Sequence, residues 1–213
     1  MKIGMLGTGD VGRALGSKLV LVGNEVKMGS RAPSNQKAMD WAQSAGSKAS
    51  SGTFAEAAKF GEVVFNCTSG AVSLDALKMA GSQNVSGKVL VDVANPLDFS
   101  KGMPPTLTVC NTDSLGEQIQ RAFPSARVVK AFNTVSNSVM VNPGVVPDSD
   151  IFLCGNDAAA KAKVVEIMKS FGWKKPVDLG DITAARGMEM ILPLWVRLFG
   201  MFQTPNFNYK IVR

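Results

Sequence analysis

Short runs of apolar and β-branched residues recur along the chain, separated by stretches whose apolar positions repeat at helical spacing. Residues 2–6, 25–28, 62–66, 88–93, 127–132 and 151–154 predict strands, with a weaker candidate at 176–179. Between the first two, Val11, Ala14, Leu15, Leu19 and Val22 share one helix face, closed by Gly23-Asn24. Strand and helix in alternation predict a mostly parallel sheet with crossover helices. The strand runs are apolar without clean alternation, as expected where helices cover both faces. The fold expected is therefore α/β, a doubly wound Rossmann-type sheet, with a short C-terminal helical appendage.

Two segments depart from this rhythm. Residues 94–114 carry Pro96, Pro104 and Pro105 without periodicity, and a connection of that length makes them a candidate lid. Later, Ala160, Val164, Ile167, Met168 and Phe171 mark an amphipathic helix opened by Asn156-Asp157 and stopped near Gly172. Asp181 is placed to cap a last helix through Arg186, Met190 and Trp195, which Pro193 must kink or break. The chain divides into residues 1–180, the α/β domain, and 181–213, a helical segment expected to pack on that domain or on a second copy. The apolar tract 188–202 is cut by Glu189, Pro193 and Arg197, short of the roughly 20 residues a membrane span needs. The first residues are apolar too briefly for a signal peptide, so a cytoplasmic protein is expected.

Gly7-Thr8-Gly9-Asp10-Val11-Gly12 is a GxGxxG run between a predicted strand and a predicted helix. In that setting Gly7 permits the tight turn, Gly9 lets backbone approach a pyrophosphate, and Gly12 lets the helix lie against the sheet. Free N–H groups at the helix start then face the phosphate charge. An NAD site would place Asp or Glu at the end of the second strand to hold the ribose 2′-hydroxyl. Here the chain reads Lys27-Met28-Gly29-Ser30-Arg31, offering a hydroxyl and a guanidinium, groups suited to a 2′-phosphate. NADP(H) is the cofactor expected. The competing reading makes Ser30-Arg31 the start of a loop or the cap of a helix near Pro33.

Composition narrows the chemistry. The 213 residues include no histidine, which removes Ser-His-Asp triads and His-containing zinc sites. The three cysteines, Cys67, Cys110 and Cys154, are too few and too scattered for a disulfide framework or a four-cysteine metal site. The formal net charge of +6 suits an anionic ligand, but the basic residues are dispersed and one tyrosine offers little base stacking. Nucleic acid is not an expected partner, and no metal ligands are assigned.

The GxGxxG block with Gly29-Ser30-Arg31, Val91-Asp92-Val93-Ala94-Asn95-Pro96, Val129-Lys130-Ala131-Phe132-Asn133-Thr134, Cys154-Gly155-Asn156-Asp157 and Arg186-Gly187-Met188-Glu189 resembles the NADP oxidoreductases dependent on 8-hydroxy-5-deazaflavin, coenzyme F420. The same blocks resemble the cytosolic reductase domain of the six-transmembrane STEAP metalloreductases. The likeness spans nearly the whole chain, and the Lys-Ala-Phe-Asn-Thr block is its most distinctive part. The resemblance implies hydride passage between the nicotinamide of NADP and a tricyclic acceptor stacked against it, and the acceptor expected is a deazaflavin or a flavin, FMN or FAD. It implies that Thr8, Ser30 and Arg31 hold phosphates, that Thr68, Ser69 and Ala131 line the cofactor cleft, and that Asn95 and Asn133 lie near the rings. Delivery of electrons across a membrane to haem is not expected of this chain.

Hydride transfer between stacked rings asks the protein for orientation and exclusion of water, so the lack of histidine is no obstacle and no catalytic side chain is assigned. Two other functions share the early fingerprint: an imine reductase of the pyrroline-5-carboxylate type, which typically carries a much longer helical tail, and a non-catalytic NADP sensor. The apolar stripe Met188, Met190, Ile191, Leu192, Leu194, Trp195, Leu198 and Phe199 walls the acceptor, or forms core or a homodimer contact. Arg186 and Glu189, at i and i+3, are expected as a helix-surface pair. Cys67 and Cys154 are expected to be inert packing residues, and Asp92 either catalytic or satisfied by backbone N–H groups.

Overall fold

The computed structural model describes residues 1–213. The chain runs β1 (Lys2–Leu6), α1 (Asp10–Leu21), β2 (Glu25–Ser30), α2 (Gln36–Ala45), β3 (Ala49–Thr53), α3 (Phe54–Phe60), β4 (Val63–Asn66), α4 (Ser73–Ala80), α5 (Ser82–Val85) and β5 (Val89–Asp92). It continues through β6 (Leu97–Asp98), β7 (Thr106–Leu107), α6 (Leu115–Ala122), β8 (Arg127–Ala131), α7 (Asn137–Val141), β9 (Phe152–Gly155), α8 (Ala158–Phe171), β10 (Val177–Asp178), α9 (Ala185–Met190) and α10 (Leu192–Phe202).

Eight strands form one sheet in the order β10-β9-β8-β5-β4-β1-β2-β3. The six from β3 to β8 are parallel; β9 runs antiparallel to β8, and β10 pairs parallel with β9. The chain leaves β1 toward β2 and β3, then returns past β1 to β4, so a topological switch point opens between β1 and β4 at their carboxyl ends. Both faces of the sheet are buried. Ile3, Met5, Val91, Val129 and Ala131 belong to one core with residues of α1, α2, α7 and α8, while Leu6, Leu90 and Val128 belong to the other with residues of α3, α4, α6 and α9. This two-sided burial is why the strands read as continuous apolar runs.

Two segments depart from the pattern read in the sequence, while the last helix breaks as Pro193 requires. β3 is the edge strand Ala-Ser-Ser-Gly-Thr, too small and polar to stand out. Residues 94–114 contain the short antiparallel pair β6–β7, with Thr108 N–H donating to the Pro96 carbonyl at 2.8 Å. The last helix is broken into α9 and α10, with Pro193 in the first turn of α10; Asp181 caps the single 3-10 turn that leads into α9. Met188 and Leu192 of the C-terminal stripe are core residues, whereas Met190, Leu194 and Phe199 are exposed.

Candidate functional site

The β1–α1 turn is shaped by its glycines. Gly7 has φ +119°, a conformation side chains resist, and a Cβ there would lie 2.6 Å from the Cys67 carbonyl oxygen. A Cβ on Gly12 would collide with the Gly7 carbonyl oxygen, so this glycine sets how closely α1 approaches the turn. Gly9 differs: a Cβ there would meet nothing within 4 Å, so its backbone borders open space. Gly9 is also the N-cap of α1, and no side chain caps it. The first-turn N–H groups, which have no partner within the helix, therefore face that space with the positive end of the dipole. Asp10 points away into an exposed ion pair with Arg13 at 2.5 Å.

At the end of β2, Ser30 is buried and its hydroxyl donates to the Ala32 carbonyl, so it must rotate to donate to a ligand. Arg31 is exposed. Neither residue caps α2: Asn35 does, accepting from Ala38 N–H at 3.1 Å. The competing cap reading is thereby overturned.

Across the switch point lies a cleft of about 190 Å³ lined by Val11, Cys67, Thr68, Ser69, Gly70, Val93, Ala94, Asn95, Leu97 and Phe99. Its volume is below the roughly 300 Å³ at which drug-sized pockets begin. Behind it, Asn66 and Asp92, which end β4 and β5, and Lys130, one residue before the end of β8, stand in register. Asn66 Nδ2 donates to Asp92 Oδ1 at 2.9 Å, and Asn66 Oδ1 accepts from Thr68 Oγ1 at 2.7 Å. Lys130 Nζ donates to Asp92 Oδ2 and Glu189 Oε1, both at 2.8 Å, and to the Ala94 carbonyl at 2.5 Å. Glu189 in turn accepts the N–H groups of Leu115 at 2.8 Å and Gly116 at 3.0 Å, at the N-terminus of α6. Burial alone would depress the Lys130 ammonium, but Asp92 and Glu189 outweigh it and hold the group above its ordinary range. Burial pushes the Glu189 carboxyl up, against the pull of Lys130.

Asn133 completes the region. Its Nδ2 donates to Asn95 Oδ1 at 2.9 Å and to the Met188 carbonyl at 2.8 Å, while Asn95 Nδ2 donates back to the Asn133 carbonyl at 3.0 Å. The preceding residue, Phe132, has φ +65°, costing on the order of 1–3 kcal/mol for a bulky side chain. Its ring is held near Phe65 and Phe171, with centroids at 6.3 and 5.9 Å. Packing thus keeps a strained turn that presents Asn133 to Asn95.

Of the residues singled out in the sequence, Val11, Thr68, Ser69 and Asn95 line the cleft. Gly7, Gly9 and Gly12 shape the turn beside it. Ala131 is fully buried behind it, and Asn133 reaches it only through Asn95. Cys67 and Cys154 are unreactive as thiolates: burial raises both, Cys154 to about 12. The Arg186–Glu189 surface pair does not form. Arg186 instead grips Glu117 with Nε and Nη2, at 2.9 and 2.6 Å, and Glu189 turns inward to Lys130. Asp92 answers to a lysine and an asparagine as well as to Ala94 N–H. The Asp92–Lys130–Glu189 cluster went unread in the sequence, where its one signal was a lysine inside an otherwise apolar strand.

The profile of the family described as NADP oxidoreductase coenzyme F420-dependent matches residues 2–96. The F420-dependent NADP reductase of Methanocaldococcus jannaschii is 30% identical over 219 aligned positions, covering 99% of this chain and 94% of that protein. Metalloreductase STEAP3 of Rattus norvegicus is 30% identical over 226 positions, covering 100% of this chain but 43% of the rat protein. A crystal structure from Arthrobacter sp. FB24, provisionally assigned as an F420-dependent NADP reductase, superposes with a TM-score of 0.95 at 51% identity over 100% of both chains.

Proposed function

Because the chain belongs to the coenzyme F420-dependent NADP oxidoreductase family, we propose that it passes a hydride between NADP(H), held at the switch point between β1 and β4, and a deazaflavin or flavin ring. The observation that carries this reading is the uncapped start of α1 at Gly9, open where a Cβ would stand, beside a strand that ends in Ser30-Arg31 without a carboxylate. Pyrophosphate is accommodated over Gly9 by backbone N–H groups. Arg31 takes the 2′-phosphate, assisted by Ser30 after rotation of its hydroxyl, and Thr8 lies in the same turn.

When bound, the nicotinamide supplies the hydride-carrying carbon. The protein's part is to orient and to keep water out. The acceptor ring would stack on the nicotinamide, and Phe99, a lining residue that is itself exposed, offers it an apolar surface. Val11, Val93, Leu97 and Phe99 give the cleft apolar walls, and Asn95 is held in one orientation by Asn133. No side chain has to move a proton for this step. That suits a chain without histidine.

Exposed Met190, Leu194, Phe199, Met201 and Phe202 support a second copy seated on the C-terminal segment. No helix is long and apolar enough to cross a membrane, and a cytoplasmic location accords with that.

Mixing the purified protein with NADPH and following absorbance against deazaflavin, FMN, FAD, ferric chelates and cyclic imines tests the proposal. Oxidation with the tricyclic acceptors is expected. Oxidation with the imine alone, or with none despite tight NADPH binding, would overturn it in favour of an imine reductase or a sensor.

A further inference from the structure

Lys130 is fully buried, and each of its three ammonium N–H groups is taken: one by Asp92, one by Glu189 and one by the Ala94 carbonyl. Two carboxylates surround one lysine, and the N-terminus of α6 supplies the remaining positive field through the Leu115 and Gly116 N–H groups. Such a cluster is weak as a source of stability, since well-packed apolar residues often do as well or better. What apolar residues could not supply is a directional hold on a backbone carbonyl. The carbonyl held is that of Ala94, in the wall of the cleft.

A second link reaches the same wall from the same helix. Met188, next to Glu189 in α9, offers its carbonyl to Asn133, and Asn133 clasps the side-chain amide of Asn95. Two hydrogen-bonded routes therefore join the C-terminal segment to Ala94 and Asn95. Resting on the cofactor reading above, we propose that Lys130 is a positioning residue that fixes the Ala94-Asn95 wall, and that Glu189 couples this wall to the docking of α9. The ring seated in the cleft is held at the angle hydride transfer requires only while α9 is docked. Closure of an acceptor or a second copy on the C-terminal segment is thereby transmitted to the cofactor side.

Glu189→Gln tests the coupling. The amide keeps the shape of the carboxylate but presents N–H groups either to Lys130 or to the Leu115 and Gly116 N–H groups, donor against donor. Hydrogen exchange of the protein without cofactor is the first readout. Faster exchange at Ala94, Asn95 and Leu97, as well as around α9, is expected, with β2 unchanged. The second readout is single-turnover NADPH oxidation by FMN. A tenfold or greater fall in rate per folded molecule is expected, with the NADPH Kd within threefold of the parent and partial recovery in Glu189→Asp. Faster exchange confined to α6 and α9, with an unchanged rate, would overturn the proposal. Should Glu189→Gln fail to fold, Asn133→Ser cuts the second link and carries the same expectations. Because exchange is measured without nucleotide, coupling seen in a protein that binds no NADPH would remove the cofactor reading while sustaining the link between α9 and the Ala94-Asn95 wall.

Discussion

Gly12 packs its α-carbon against the Gly7 carbonyl oxygen so closely that no side chain fits between them, while Gly9, midway along the same turn, borders open space. The first contact shapes the protein and the second leaves room for a ligand. Gly12→Ala should therefore cost about 1–3 kcal/mol of stability as α1 is pushed from the turn, with nucleotide binding lost alongside. Gly9→Ala should change stability by no more than about 0.5 kcal/mol, yet weaken NADPH because its Cβ enters the phosphate space. Urea unfolding and NADPH titration of the two variants check the contrast.

Lys130→Met should destabilise by about 3–5 kcal/mol, because Asp92 and Glu189 are left buried without their cation. Adding Asp92→Asn and Glu189→Gln should recover part of the loss. Urea midpoints of the single and triple variants test this; a single variant as stable as the parent would contradict the charge pairing.

Glu117 is held below the usual carboxylate range, chiefly by its hydrogen bonds from Arg186, against the opposing effect of burial. A carboxyl whose folded value lies below its unfolded value of about 4.3 adds stability above that pH and loses it as pH falls through the folded value. Parent stability should thus fall below about pH 4, and Arg186→Gln should flatten that fall. Urea midpoints measured from pH 7 down to 3 give the comparison, and identical pH profiles would refute it.

The alternation of strands and helices was legible because each central strand is buried on both faces and so had to be apolar. β3 was not, since an edge strand of Ala, Ser, Gly and Thr has no such signature. The capping box at Thr53, where Glu56 returns to the Thr53 N–H at 2.7 Å, was a local signal of α3 that periodicity alone passed over. The turn of the candidate site was legible because its chemistry is local, carried by glycines five residues apart. Its supporting frame was not: Asp92, Lys130 and Glu189 meet only after the sheet has brought β5 beside β8 and α9 has folded back, so no spacing records them. The i, i+3 spacing of Arg186 and Glu189 even pointed the wrong way, because Lys130 and Glu117 each offered a stronger partner.

If a second copy covers α10, a charge placed on its exposed face should keep the chains apart without unfolding them. Met201, 73% exposed, is the site to use. Sedimentation should give a dimer for the parent and a monomer for Met201→Glu with unchanged Tm; a parent that is monomeric would refute the dimer.

Above all, dissociation constants for NADPH and NADH in the parent and in Arg31→Ala decide whether the end of β2 holds a 2′-phosphate. Loss of the guanidinium should weaken NADPH by about 1.5–3 kcal/mol, the worth of a charge-assisted hydrogen bond, and leave NADH nearly unchanged. Equal losses for both nucleotides would contradict the assignment.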